Sequence, residues 1–180
     1  MRLDRLDVNY IRANLAICGF LGIGSREEFE RHGFHAQLQC AEPFDPWLSD
    51  CVEVMRMPFD DGAPIPERLF RQAQDWLGKR WAMGNKILIS CAAGHSRSVA
   101  MAIALLRTRG QLRFLDAAYE VIDRVPEAYP HPHVLASAAK YCGDSLNLEE
   151  MQTVFARAKI QPPYPWSTDL LHEALRGVDA

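Results

Sequence analysis

The sequence predicts an α/β fold, a central sheet covered by helices, from three observations. Short apolar stretches of strand character alternate with longer segments of helical spacing. One compact apolar strand, Lys86 to Ser90 (Lys-Ile-Leu-Ile-Ser), follows a Gly84-Asn85 turn and runs directly into Cys91. The segment from Ser98 to Arg109 is apolar nearly all round, the pattern of a helix buried on every side.

Each element has its own local cause. Asn14 to Cys18 predicts a short strand, ended by Gly19, Gly22 and Gly24. Ser25 followed by Glu28 forms a capping box and predicts a helix from Arg26 to His32. Ala36 to Cys40 and Val52 to Met57 are further strands, the second with Val52 and Val54 alternating against Glu53 and Met55. Pro58 to Pro66 holds three prolines, a glycine and two adjacent aspartates, which predicts a loop. From Glu67 to Arg80, Leu69, Phe70, Ala73, Trp76 and Leu77 recur at helical spacing on one face. Leu115 to Arg124 is another amphipathic helix, stopped before Pro126, and His133 to Tyr141 a shorter one after Pro130-His131-Pro132.

Beyond Gly143 the character changes. Asn147 with Glu150 three residues on predicts a capped helix to Ala158, and a stiff Pro162-Pro163-Tyr164-Pro165 stretch leads to a last helix over Asp169 to Arg176. Residues 143–180 are too few to build their own core. They are therefore expected to be a helical extension packed on a domain of residues 1–142.

The bulk properties narrow the function classes. With 180 residues, 48% hydrophobic and 24% charged, the chain has the composition of a soluble globular protein. Its net charge of −3 shows no general nucleic-acid or anionic-membrane surface, so neither is expected as a partner. The N-terminal residues alternate charge with leucine, as no signal peptide does, and no apolar run reaches the roughly 18 residues of a membrane span. A cytoplasmic location is the expectation. The cysteines at Cys18, Cys40, Cys51, Cys91 and Cys142 form no paired framework, as in compartments that keep thiols reduced. All but Cys91 are expected to be small core residues. His131 and His133 have no metal-ligand spacing with Cys142 and are expected at the surface. The tryptophans Trp47, Trp76, Trp81 and Trp166 ask for nothing beyond packing.

The chemistry lies in Cys91-Ala92-Ala93-Gly94-His95-Ser96-Arg97-Ser98, between a strand and a helix. Such a turn can aim several backbone N–H groups inward and make an anion site at the helix N-terminus. Gly94 allows the backbone to curl, and the planar fork of Arg97 matches two phosphate oxygens. A free cysteine, of pKa about 8.5, is only a few per cent thiolate at pH 7. Converging amides, a helix dipole and a guanidinium bring reactive thiols to about 3.5–7.5. One loop can thus bind a phosphoryl group and activate the attacking sulfur.

This loop closely resembles that of the dual-specificity protein tyrosine phosphatases, Cys-x-x-Gly-x-Ser-Arg-Ser. The resemblance extends over residues 8 to 142. Those enzymes carry an aspartate about thirty residues before the cysteine in a loop Pro-x-x-Asp, and Pro58-Phe59-Asp60-Asp61 occupies that place. It implies a central mixed, mostly parallel sheet flanked by helices. It also implies attack of Cys91 on phosphorus to give a cysteinyl-phosphate. Arg97 would clamp the equatorial oxygens with the backbone of Ala92, Ala93, Gly94, His95 and Ser96. Asp61 would be the general acid, with Asp60 as its rival, and Ser98 would hydrogen-bond the sulfur and help it leave. Ser96 would shape the loop from within its own turn. No cofactor or metal is expected, because Arg97 and the amides neutralise the phosphate charge.

One position departs from the pattern: Ser90 stands where the family has a histidine, which predicts lower activity or a shifted pH optimum. Phosphoinositide phosphatases of this superfamily carry lysines in the loop. Ala92, Ala93 and His95 favour phosphotyrosine or phosphoserine/threonine in proteins instead, with small phosphomonoesters as further substrates. The alternatives are a catalytically weak phosphate-binding pseudophosphatase or a phosphoinositide phosphatase. A sulfurtransferase or arsenate reductase is disfavoured, because Cys91 lies mid-chain with its candidate acid before it.

Overall fold

The computed structural model describes residues 8–19, 26–42, 50, 52–160 and 166–177. The elements in chain order are β1 (Val8–Arg12), β2 (Leu15–Gly19), α1 (Arg26–His32), β3 (Ala36–Gln39), β4 (Glu53–Arg56), α2 (Glu67–Ala82), β5 (Ile87–Cys91), α3 (Arg97–Arg109), α4 (Phe114–Arg124), α5 (Pro132–Tyr141), α6 (Leu148–Arg157) and α7 (Thr168–Arg176). The predicted capping box at Ser25, the Pro162–Pro165 stretch, Cys51 and Trp47 lie outside the described residues.

The five strands form one sheet in the order β1-β2-β5-β3-β4. β1 is antiparallel to β2, and the other pairings are parallel, so the expected mixed, mostly parallel sheet is present. Strand side chains alternate between faces, and both faces are apolar. Leu15, Ile17, Leu38, Ile87 and Ile89 join the main core under the later helices. Ala16, Cys18 and Leu88 face the other way, onto Phe29 of α1 and Phe34.

Helix α3 is the buried spine. Every residue from Ser98 to Leu106 is buried, as its all-round apolar pattern predicts. α2, α4 and α5 pack around it, with α6 on α4 and α7 on α5. Met151, Val154, Leu171 and Ala174 belong to the same continuous core as α3. Asn147 caps α6 with the predicted reciprocal capping box to Glu150.

One strand escaped the sequence pattern. β1 buries only Ile11 fully, so its alternation is weak, as an edge strand's is. Arg12 ties it to α4 through a two-pronged ion pair with Glu120, at 2.7 and 2.9 Å. No helix among the described residues is long and apolar enough to cross a membrane.

Candidate active site

The carboxyl ends of the parallel strands set the site. β5 is central, with β2 on one side and β3 on the other, and ligands of open α/β sheets sit beyond the strand ends at such a switch point. Beyond β5 the chain turns through residues 92–96 and enters α3 at Arg97. Gly94 makes the turn at φ +80°, a left-handed conformation that side chains resist. The turn rests on the end of β2: a Cβ on Gly19 would stand 2.8 Å from the Ala93 carbonyl carbon. Gly19 was legible only as a strand terminator.

Cys91 is buried to 3% exposure as the last residue of β5. Its Sγ lies 3.2 Å from the Ser98 hydroxyl, which is wholly buried in the first turn of α3. Arg97 donates through Nη1 to the Phe59 carbonyl at 2.9 Å and, more weakly, to the Cys40 carbonyl at 3.4 Å. These bonds hold the guanidinium against the loop after β4. Its Nε is buried with no acceptor within hydrogen-bond distance among the described residues, and lies 3.9 Å from Asp61 Oδ2. A buried guanidinium N–H with a donor still to give is suited to an incoming oxyanion.

The two aspartates of the β4–α2 loop differ sharply. Asp61 is half-buried and accepts at Oδ1 from the Ser96 hydroxyl. Asp60 is exposed. Ser96 is buried, but not within its own turn as the resemblance implied. Its Oγ donates to Asp61 and accepts from the backbone N–H of His131 at 2.9 Å, joining three loops. The His131 N–H can only donate, so it occupies a lone pair of Ser96 and leaves the serine proton for the aspartate.

The remaining loop positions form a rim. Ala92 and Ala93 are exposed and present no charge. His95 hydrogen-bonds Glu127 through Nε2 at 2.5 Å, and its carbonyl accepts from the Tyr129 N–H at 2.8 Å. His131 and His133 are not surface residues as expected. His133 is 7% exposed, and His131 is half-buried beside Ser96. The Pro130-His131-Pro132 break folds them inward to start α5, where His131 Nδ1 accepts from the His133 N–H at 3.4 Å. Burial chiefly, and then His133, push the His131 imidazole below its ordinary pKa, against a smaller upward pull from Asp61 and Glu173.

Beneath the loop, Ser90 accepts from Gln37 Nε2 at 2.9 Å, a buried bond between β5 and β3. The position that carries a histidine in the resembled family is thus a neutral side-chain bridge inside the sheet. Cys18 and Cys40 are buried free thiols, as expected, and Cys142 is half-buried. Burial foremost, then the adjoining Cys91, push the Cys40 thiol well above its ordinary range, with Arg97 opposing. Burial pushes Cys142 up to about 12.

No protein-family model and no curated protein matches the sequence. Solved structures do match. The human tyrosine phosphatase-like serine/threonine/tyrosine-interacting protein superposes with a TM-score of 0.66 at 19% identity, over 76% of this chain and 96% of that one. DUSP15 gives 0.67 at 17% identity, over 87% and 98%. Human DUSP28 gives 0.68 at 22%, over 76% and 93%. The chain therefore has the dual-specificity phosphatase fold, a five-stranded mixed sheet among the described residues flanked by helices.

Proposed function

We propose that this chain is a phosphomonoester hydrolase working through a cysteinyl-phosphate, acting on phosphotyrosine and/or phosphoserine/threonine in proteins. One observation carries the reading. A buried cysteine beside a serine hydroxyl, an arginine whose buried Nε–H is unmatched and a half-buried aspartate converge from two loops at one sheet end. The shared fold supports it.

In the first step Cys91 Sγ attacks phosphorus and the bond to the leaving oxygen breaks. Asp61 gives its proton to that oxygen, and Arg97 holds the equatorial oxygens as charge redistributes. In the second step water attacks the phosphocysteine while the Asp61 carboxylate takes its proton. The sulfur–phosphorus bond breaks, and the Ser98 hydroxyl donates to the departing thiolate. The sum is ester plus water giving alcohol plus phosphate. The uncharged Ala92 and Ala93 and the Glu127-paired His95 suit a singly phosphorylated side chain better than a polyphosphorylated headgroup.

The test is phosphate release from an aryl phosphate, from phosphopeptides and from phosphoinositides by wild type and Cys91→Ser. Turnover of aryl phosphate and phosphopeptides, lost in the variant, is expected. Identical inert behaviour of both proteins would instead make the chain a phosphate-binding module, and faster turnover of phosphoinositides would reverse the substrate class.

A further inference from the structure

Trp166 sits far along the chain from the phosphate loop, yet it touches both residues that brace it. Its indole meets the His131 ring edge-on, at 4.8 Å between centroids and 68° between planes. It stacks on Tyr129 at 5.5 Å and 23°. Tyr129 in turn packs on Phe155 of α6 at 5.4 Å.

These two rings belong to the residues whose peptide N–H groups hold the loop. The Tyr129 N–H binds the His95 carbonyl, and the His131 N–H binds Ser96 Oγ. Ser96 spends its only proton on Asp61. A contiguous path of packed rings and hydrogen bonds therefore runs from Trp166 through His131 and Ser96 to the carboxyl group of Asp61.

We propose that Trp166 is a positioning residue for the general acid. It fixes the 129–131 segment, so that Ser96 keeps its proton directed at Asp61 and the carboxyl group stays aimed into the site. The inference rests on the hydrolase reading above and goes beyond it, because it makes a residue after α6 part of the working site. The indole Nε1 is buried with no acceptor among the described residues, so the ring acts by its faces and edge. Another aromatic ring should then substitute for it, whereas an aliphatic side chain should not.

A general acid matters in proportion to how poorly the leaving group departs unaided. The experiment compares wild type, Trp166→Ala and Trp166→Phe on aryl phosphates running from acidic to weakly acidic phenols. Trp166→Ala should lose about tenfold in kcat/KM, which reports the acid-assisted first step alone, on the poorest leaving group, a fraction of the ~10²–10⁴ that general acid–base catalysis supplies. The loss in kcat/KM should vanish for the best leaving group, and Trp166→Phe should restore most of the rate. In an Asp61→Ala background Trp166→Ala should cost nothing further. An equal loss on every leaving group, or a full additional loss without Asp61, overturns the proposal.

If Trp166→Ala does not fold, Trp166→Leu against Trp166→Phe makes the same comparison. If wild type is as inert as Cys91→Ser, the hydrolase reading fails, and amide exchange then tests the positioning directly. Exchange at His131 should rise about tenfold in the aliphatic variant and not in Trp166→Phe. Unchanged exchange overturns it.

Discussion

Gly94 approaches the end of β2 so closely that a Cβ on it would stand 2.7 Å from the backbone nitrogen of Gly19. The obstacle is backbone on both sides, which cannot swing away as a side chain would. The Cys91–Ser98 loop is therefore seated on two mutually fitted glycines.

Gly94→Ala is expected to suffer twice, from this clash and from its φ of +80°. The left-handed conformation alone costs a side chain about 1–2 kcal/mol. Gly19→Ala suffers the clash only. Both variants should show a lowered thermal transition and weakened binding of a phosphate analogue such as tungstate, with Gly94→Ala the worse.

Asp61 and Asp60 are separable by where they point. Asp61 is held by Ser96 and faces Arg97, whereas Asp60 is exposed. Asp61→Ala should lower kcat on a poor leaving group by ~10²–10⁴, and Asp60→Ala by no more than a few-fold. The opposite ranking would move the acid to Asp60.

Ser98 stands 3.2 Å from the sulfur, and in the proposed mechanism its hydroxyl stabilises the thiolate as it leaves phosphorus. A hydrogen bond to a charged group is worth about 1.5–3 kcal/mol, a factor of roughly ten to a hundred. Ser98→Ala should slow the second step by that factor. A burst of released phenol, with phosphocysteine detectable by mass spectrometry, would mark it.

His131 makes stability depend on pH in one direction. Its folded pKa lies below the ordinary 6.5, so the unfolded chain takes up the proton first as pH falls. The stability this neutral imidazole contributes is fully present above about 6.5 and is lost as pH falls through the folded value. His131→Gln should flatten that part of the stability profile. Chemical denaturation between pH 7.5 and 5 measures it, with NMR titration of the ring as a direct check.

The chain itself determined much of this protein. The order of strands and helices followed from periodicity and from glycine and proline punctuation, because those signals act within one element. Cys91, Gly94 and Arg97 are legible from spacing within one uninterrupted turn, and Ser98 from the resemblance of that turn to the family's loop. The edge strand β1 was missed, since an edge buries too little to leave a pattern. What only the tertiary structure decided are the relations between loops distant in sequence. Ser96 gives its proton to Asp61 and is held by His131, and His133 is buried despite its proline-flanked setting. Gly19 seats the loop, and Trp166 packs on Tyr129 and His131, whose N–H groups bond to that loop. Each depends on a loop closure that places two chain segments at one sheet end, and no local spacing records it.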